Sequence, residues 1–325
     1  MLLTIAEIGP NHDGDIQEAY KLIDAAKFCG ADAVKFQLHI AEAESLIDAP
    51  NPPYFKTETH YDFFKRTAFT PEQWKKLHDY TKTFTDMQFI CSPFSEEAVD
   101  ILEETGIDIY KIASGEVTNI PMLKKIRKTG KPVILSSGMS SFTELDEAVK
   151  ALGGSTMAIL QCTSQYPCPY EKVGLNLLDE LWARYQVPVG LSDHTLTSYA
   201  AYAAVAKGAG VIEKHFALTN DKEGPDFWFS YTPNQFLLLV EGIKSIEMMI
   251  TNPVYKNDLS SFFDMKGIFE KSLTSKVDIQ AGDTITEDMI QIRKPSGGIP
   301  PSQLKQSIGK KAKVFIPKDT IIYEG

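Results

Sequence analysis

The stretch VPVGLSDHTLTSYAAYAAVAKGAGVIEKHF, residues 187–216, decides the fold. It opens on one apolar run, VPVGLS (187–192), closes on another, GVIEKHF (210–216), and carries SYAAYAAVAKGAG between them. The outer runs read as strands buried on both faces, and the Ala-rich middle reads as a helix. Strand, helix and strand in so short a span make a parallel βαβ unit. The same alternation continues back to the N-terminus through LLTIAEI (2–8), ADAVKFQL (31–38), MQFICS (87–92), IDIYKIA (107–113), PVILSS (132–137) and MAILQCT (157–163). Helical segments separate them. IQEAYKLIDAAKFCG repeats apolar residues at helical spacing and ends on Gly30 as a C-cap, and Ser95 and Ser141 stand where N-caps belong. Eight such units in about 250 residues predict an α/β fold, a (β/α)8 TIM barrel. Strand count alone does not close a barrel, so a doubly wound open sheet is the alternative.

The pattern ends near Met249, so residues 1–250 are assigned to the barrel, 251–265 to a linker and 266–325 to a small domain. The small domain changes to short, turn-rich β-like segments. Within it Ile279-Gln-Ala-Gly-Asp-Thr-Ile285 is echoed by Ile316-Pro-Lys-Asp-Thr-Ile-Ile322, which reads as two similar turns of a β-clip. Residues 40–69, after the second strand, form a long polar and aromatic insertion. On a barrel such a loop lies over the catalytic face and can serve as a lid.

The chain has 325 residues and a formal charge of −10, with 43% hydrophobic residues. This composition excludes a disordered or fibrous chain and argues against an extended polyanion or anionic membrane as partner. No apolar run reaches the ~20 residues of a membrane span, and Glu7 interrupts the start too early for a signal peptide. Cys29, Cys91, Cys162 and Cys168 have no zinc or redox-motif spacing and are expected as reduced thiols. The expectation is a cytoplasmic protein.

In a barrel the reactive groups sit where strands end. Here those ends carry Glu7 and Gln37, Lys35 and Lys111, the serines 92, 114, 136, 164 and 192, Glu116, Tyr166, His194 and the run Glu213-Lys214-His215. His194 and His215 occupy equivalent ends of neighbouring strands, one βα unit apart. Two imidazoles so placed, with positions left open for water and substrate, read as an open divalent-metal site, the alternative being two histidines satisfied by hydrogen bonds in support of the site. His12 is a further candidate to face it, whereas His39, His60 and His78 have no comparable support. Lys35 and Lys111 lie inside apolar strands, where a lysine needs an anion. That anion is either a phosphate or carboxylate ligand, helped by the serine hydroxyls, or a barrel carboxylate such as Glu7. Ser192-Asp193-His194 is no relay, because neighbouring strand residues face opposite sides. Glu7, Glu116, Glu213 and Asp226 remain for acid–base work or sugar contacts, and Phe227, Trp228 and Phe229 for stacking on a sugar or packing.

AEIGPNHDG (6–14), VKFQ (34–37), FICSPFS (89–95), YKIASGE (110–116), GKPVILSSGM (130–139), QCTSQYPCPY (161–170), GLSDHT (190–195), IEKHF (212–216) and GPD (224–226) together resemble the blocks of the sialic acid synthase family. That family comprises N-acetylneuraminate synthase and its legionaminic and pseudaminic acid relatives. The last 60 or so residues resemble its antifreeze-like SAF domain, a β-clip. The resemblance implies condensation of phosphoenolpyruvate with an open-chain N-acetylmannosamine-like sugar, giving a nonulosonic acid and phosphate. It implies a divalent metal, Mn2+ or Mg2+, held by His194 and His215. Lys35, Ser92, Lys111, Ser114, Ser136, Ser164 and Ser192 then hold phosphoenolpyruvate. Glu7, Gln37, Tyr166 and Asp226 face the sugar, and Glu116 lies beside the reacting carbons with Lys111 and Glu213. It also implies a domain-swapped homodimer in which one chain's small domain covers the partner's barrel.

Three positions depart from the family pattern. Ser164 stands where Asn is usual. Arg293-Lys294-Pro295 stands for Lys-Arg-Pro, so either Lys294 offers a point charge in place of a planar fork or Arg293 is re-aimed. Phe227-Trp228-Phe229 is bulkier than the small polar run expected there. Together they point to a non-standard acceptor. A related phosphoenolpyruvate-dependent 3-deoxy-ulosonic acid synthase, using another aldose or aldose phosphate, is the alternative. A barrel retained only for binding fits poorly with intact His194, His215, Lys35, Lys111 and Glu116.

Overall fold

A computed structural model describes residues 2–324 except 53, 54, 56, 57 and 223. Eight parallel strands close into a barrel in sequential order: β1 (Leu3–Glu7), β2 (Ala33–Leu38), β3 (Gln88–Pro93), β4 (Ile109–Ile112), β5 (Val133–Ser136), β6 (Thr156–Cys162), β7 (Val189–Asp193) and β8 (Val211–His215). Closure is made by β1 on β8, with Leu3 in register with Val211 and Glu7 with His215. The open-sheet alternative is thereby set aside.

Period-2 alternation sorts each strand's side chains between two cores. Outward-facing residues such as Val34, Phe36, Phe89, Tyr110 and Leu135 pack with the surrounding helices into one large cluster. Inward-facing Ile5, Ala33, Ile90, Ile109, Ile134, Ala158, Leu160 and Val211 form a separate layer inside the barrel. Two residues further along the same strands, that inward face becomes polar. Gly190 belongs to the inner layer because a Cβ there would meet Val211 O at 2.3 Å and Leu160 Cδ2 at 2.6 Å. The helices between strands begin as their sequences require. Thr70 and Ser141 each form a reciprocal capping box, with Gln73 and Glu144 respectively, and Ser95 accepts from Ala98 N.

The loop after β1 carries His12, which is 3% exposed and stacks on Phe69 at 4.2 Å between ring centroids. Its Nδ1 accepts a hydrogen bond from Gly14 N at 3.0 Å. Burial, helped by nearby His39, lowers its pKa from 6.5 to about 3. The folded protein therefore holds His12 neutral while the unfolded chain takes up a proton below 6.5. Stability from this residue is full above that pH and is lost as pH falls towards 3, at up to ~1.4 kcal/mol per unit. Replacing His12 by Phe is expected to flatten the acid limb of stability against pH by roughly 2 kcal/mol at pH 5. Urea unfolding at several pH values measures it, and parallel acid limbs would refute it.

The chain divides into two compact units between Asn252 and Pro253. The span 251–265, expected as a linker, holds the last residue of the helix Pro233–Thr251, a 3-10 turn at Ser260–Phe262 and the start of the helix Phe263–Phe269. The second unit is built on β9 (Ser272–Ser275) antiparallel to β10 (Ile290–Arg293), over a small core of Leu273, Ile279, Ile285, Ile290, Ile299, Ala312 and Ile322. The two echoed segments meet here, since the backbones of Ile279 and Ile316 exchange both hydrogen bonds at 2.9 Å.

The insertion after β2 supplies the short helix Ala41–Glu44 and the helix His60–Thr67, N-capped by Thr59. Pro53, Tyr54, Lys56 and Thr57 of that insertion lie outside the described residues. No described helix is long and apolar enough to cross a membrane.

Candidate active site

At the C-terminal ends of the strands lies a cavity of about 460 Å3. Its floor is the polar layer above the inner apolar one. Lys35 Nζ lies 2.7 Å from Glu7 Oε2 and 3.9 Å from Glu213 Oε1. Lys111 Nζ lies 3.4 Å from Glu213 Oε1 and donates to Ser136 Oγ at 2.6 Å. Ser192 Oγ donates to Glu213 Oε1 at 2.9 Å, and Gln37 Nε2 to Glu7 Oε1 at 2.6 Å. All four charged side chains are 5% exposed or less, so charge alternates around the floor in a site of low polarity.

The two lysines are not equivalent. Burial opposes the charge of Lys35, but Glu213 and Glu7 outweigh it and raise its pKa. Burial wins at Lys111, whose pKa is lowered despite Glu213. Glu213 is itself pulled down to about 2, because Lys111 and Lys35 overcome the penalty of its own burial. Each strand lysine meets a barrel carboxylate, and each also lines the cavity.

Unused hydrogen-bonding capacity points to a ligand. Among the described residues, Glu213 Oε2, Ser92 Oγ and Ser164 Oγ are buried without a hydrogen-bond partner. Ser114 and Ser164 converge on Gly138, where a Cβ would lie 2.5 Å from each hydroxyl. Ser114, Ser136, Ser164 and Ser192 line the cavity, whereas Ser92, on the inward phase of β3, is buried and does not.

His194 and His215 face each other across 5.4 Å between ring centroids. Tyr166 packs on His194 at 4.2 Å and Phe229 on His215 at 4.7 Å. His194 Nδ1 donates to Thr163 O at 2.9 Å, and the ring also interacts with the Cys162 thiol. His215 Nδ1 lies 3.2 Å from Asp226 Oδ2 but makes no hydrogen bond. A metal fits this pair as an open site, since two imidazoles converge and one buried nitrogen lacks a partner. A closed cage does not fit, because no three His, Cys, Asp or Glu are gathered around one point among the described residues.

Glu116 lines the opposite side, its carboxyl raised by burial and by Glu44, while Asn119 Nδ2 donates to it at 2.8 Å. Asp193 faces away from the cavity, where its Oδ2 meets Lys214 Nζ at 2.8 Å, so the contiguous Ser-Asp-His is split between faces. Lys294 belongs to the second unit, its ammonium 4.6 Å over the Phe269 ring.

Three outcomes differ from the sequence reading. His12 packs into the core and does not line the cavity. His39 and His60 do line it, carried by the insertion and its root. Cys162 lines it too, its thiol lowered by His194, which overcomes burial. The period-2 phase of β6, with Leu160 pointing inward, was the signal available for Cys162.

Fold and site define a (β/α)8-barrel enzyme followed by a small β module. The chain belongs to the NeuB family, which it matches over residues 22–255, and it matches the SAF domain over 270–325. It is 36% identical to the N,N'-diacetyllegionaminic acid synthase of Campylobacter jejuni, over 99% of both proteins. It is 34% identical to the N-acetylneuraminate-9-phosphate synthase of Mus musculus, over 98% of this chain and 91% of that one. The crystal structure of the N-acetylneuraminic acid synthetase of Leptospira borgpetersenii superposes with a TM-score of 0.71 at 28% identity, covering 82% of this chain and 90% of that one. The chain is therefore an enzyme of the acid-synthase type.

Proposed function

We propose that the protein condenses phosphoenolpyruvate with an N-acetylmannosamine-like amino sugar, giving a nonulosonic acid and phosphate. The observation that carries this reading is the pairing, in one cavity, of a buried lysine–serine floor with two converging imidazoles. The floor suits the phosphate and carboxylate of phosphoenolpyruvate: Lys35 and Lys111 neutralise them, and Ser114, Ser136, Ser164 and Ser192 donate to their oxygens. Ser92, buried with an unpartnered hydroxyl, belongs to the same set. His194 and His215 would hold a divalent ion, Mn2+ or Mg2+, which when bound would polarise the sugar aldehyde.

In this mechanism the methylene carbon of phosphoenolpyruvate attacks the aldehyde carbon, forming the new C–C bond. The aldehyde oxygen takes a proton. Water adds to the cationic C2 that results, and the tetrahedral adduct expels phosphate by C–O cleavage. Glu116, with its raised pKa, is suited to move a proton at C2. Glu213 and Lys111 carry opposite charge beside the same carbons and stabilise charge as it appears and leaves. Glu7, Gln37, Tyr166 and Asp226 orient the sugar. The cavity walls shed bulk water that would divert the cation.

The test is incubation with phosphoenolpyruvate, Mn2+ and a panel of N-acylated hexosamines and their 6-phosphates, following phosphate release and product mass. Release with one member supports the reading, and release with none sinks it. A 3-deoxy-ulosonic product from a plain aldose would select the alternative substrate class. The homodimer belongs to the same proposal, with Lys294 of one chain serving its partner's site. Truncation after Asn252 is expected to leave a cooperatively folding barrel with turnover reduced at least about tenfold. Full turnover in the truncated chain would refute the covering role.

A further inference from the structure

We infer that His39 is a positioning residue for the sugar-facing pair Gln37 and Glu7, and that through it the inserted segment sets acceptor affinity. This rests on the synthase reading for what the pair touches. The geometry is independent of that reading. The His39 ring lies between Phe64, at 3.5 Å between centroids and 10° from parallel, and Phe94, at 4.1 Å and 19°. Phe64 comes from the helix His60–Thr67 and Phe94 from the loop after β3. The ring's Nδ1 lies 2.9 Å from both oxygens of Glu44, whose side chain is 9% exposed. Its Nε2 lies 3.1 Å from Gln37 Oε1.

A glutamine amide has nearly the same shape when its oxygen and nitrogen are exchanged, so its neighbours choose its orientation. Nδ1 donates to the Glu44 carboxylate, and the pairing of Nε2 with Oε1 needs a second ring N–H, so His39 donates from both nitrogens and takes Oε1 as an acceptor. The amide nitrogen is then directed at Glu7 Oε1, at 2.6 Å. The other oxygen of Glu7 remains for Lys35, at 2.7 Å. The stacked ring thus connects the insertion to the floor through four contacts in series, from Glu44 to Lys35. Without the donor at His39, Gln37 is free to turn and Glu7 loses its fixed partner. The expected loss is about one hydrogen bond's worth of acceptor binding, roughly tenfold.

Two variants separate positioning from filling. H39F keeps a ring between Phe64 and Phe94 but has no donor. H39Q loses the ring and keeps an amide donor. We expect H39F to raise the acceptor KM about tenfold with kcat and the KM for phosphoenolpyruvate within about threefold, and H39Q to recover much of the loss. The reverse pattern, H39F like the wild type and H39Q impaired, would overturn the inference. A readout that needs no turnover accompanies the kinetics. In 15N-labelled protein the Gln37 side-chain NH2 pair, identified by its disappearance in Q37L, is expected to be shifted and slow to exchange. H39F should move it towards free-glutamine behaviour. Unchanged Gln37 signals in folded H39F would overturn the proposal even if no acceptor were turned over. Absence of turnover in the wild type would instead overturn the synthase reading.

Discussion

His215→Ala is expected to reduce phosphate release by about a thousandfold or more and to abolish stoichiometric Mn2+ binding. The residue ends β8, in register with Glu7 across the barrel seam, and its ring faces that of His194. Its removal leaves one imidazole at the cavity rim, and a lone neutral nitrogen is a weak ligand for a divalent ion. The backbone need not suffer. His215 O still accepts from Tyr231 N at 2.8 Å, and Phe216 N still donates to Glu7 O at 2.7 Å. The variant should therefore fold like the wild type, as circular dichroism and thermal unfolding would show. Calorimetric titration with Mn2+ then reads the ligand role apart from turnover. Wild-type-like metal binding would refute the assignment of His215, and wild-type-like activity would refute its importance to the reaction.

Much of this site was legible in the sequence because strands repeat every two residues. The phase that sends Ile5 inward sends Glu7 inward, and the phase of Gly190 does the same for Ser192 and His194. The barrel and the polar set at its end follow from that alternation. What escaped depended on tertiary neighbours. The partner of Lys111 could be substrate or carboxylate until β8 was known to stand across the barrel, with Glu213 at 3.4 Å. His12 was misplaced because a loop position does not fix side-chain direction, and Phe69 offered a flat apolar partner. His60 escaped because the insertion has no periodicity to orient it, whereas His39 directly follows β2 in the inward phase of Lys35 and Gln37 and was legible from it. Residues 279–285 and 316–322 resembled each other in sequence, but their pairing appears only in the backbone exchange between Ile279 and Ile316.

The largest expected loss of stability lies outside the cavity, at Lys214. On the outer face of β7 and β8, Asp193 and Lys214 are in register and pair at 2.8 Å, each side chain 1% exposed. Asp193 also accepts from Thr195 N at 2.8 Å, and Lys214 donates to Thr195 O and lies 4.5 Å over the Tyr231 ring. Lysine burial lowers its pKa, and Asp193 opposes that shift. Removing one partner of such a pair leaves an uncompensated buried charge, so Lys214→Met is expected to cost about 3–5 kcal/mol in urea unfolding. Removing both charges should cost far less, and D193L/K214M is expected to recover most of the loss. A K214M cost under about 1 kcal/mol would mean that Asp193 finds water or another donor, as an exposed pair would. The pair also bears on the reaction. His194 follows Asp193 and His215 follows Lys214, so the charges on the outer face fix the register of the two strands that present the imidazoles inward. K214M should accordingly weaken Mn2+ binding more than an equally destabilising variant such as Leu123→Ala, whose buried side chain packs in the outer core from the helix Ile120–Thr129 that follows β4. Equal effects on the metal at equal loss of stability would show that the pair only holds the fold.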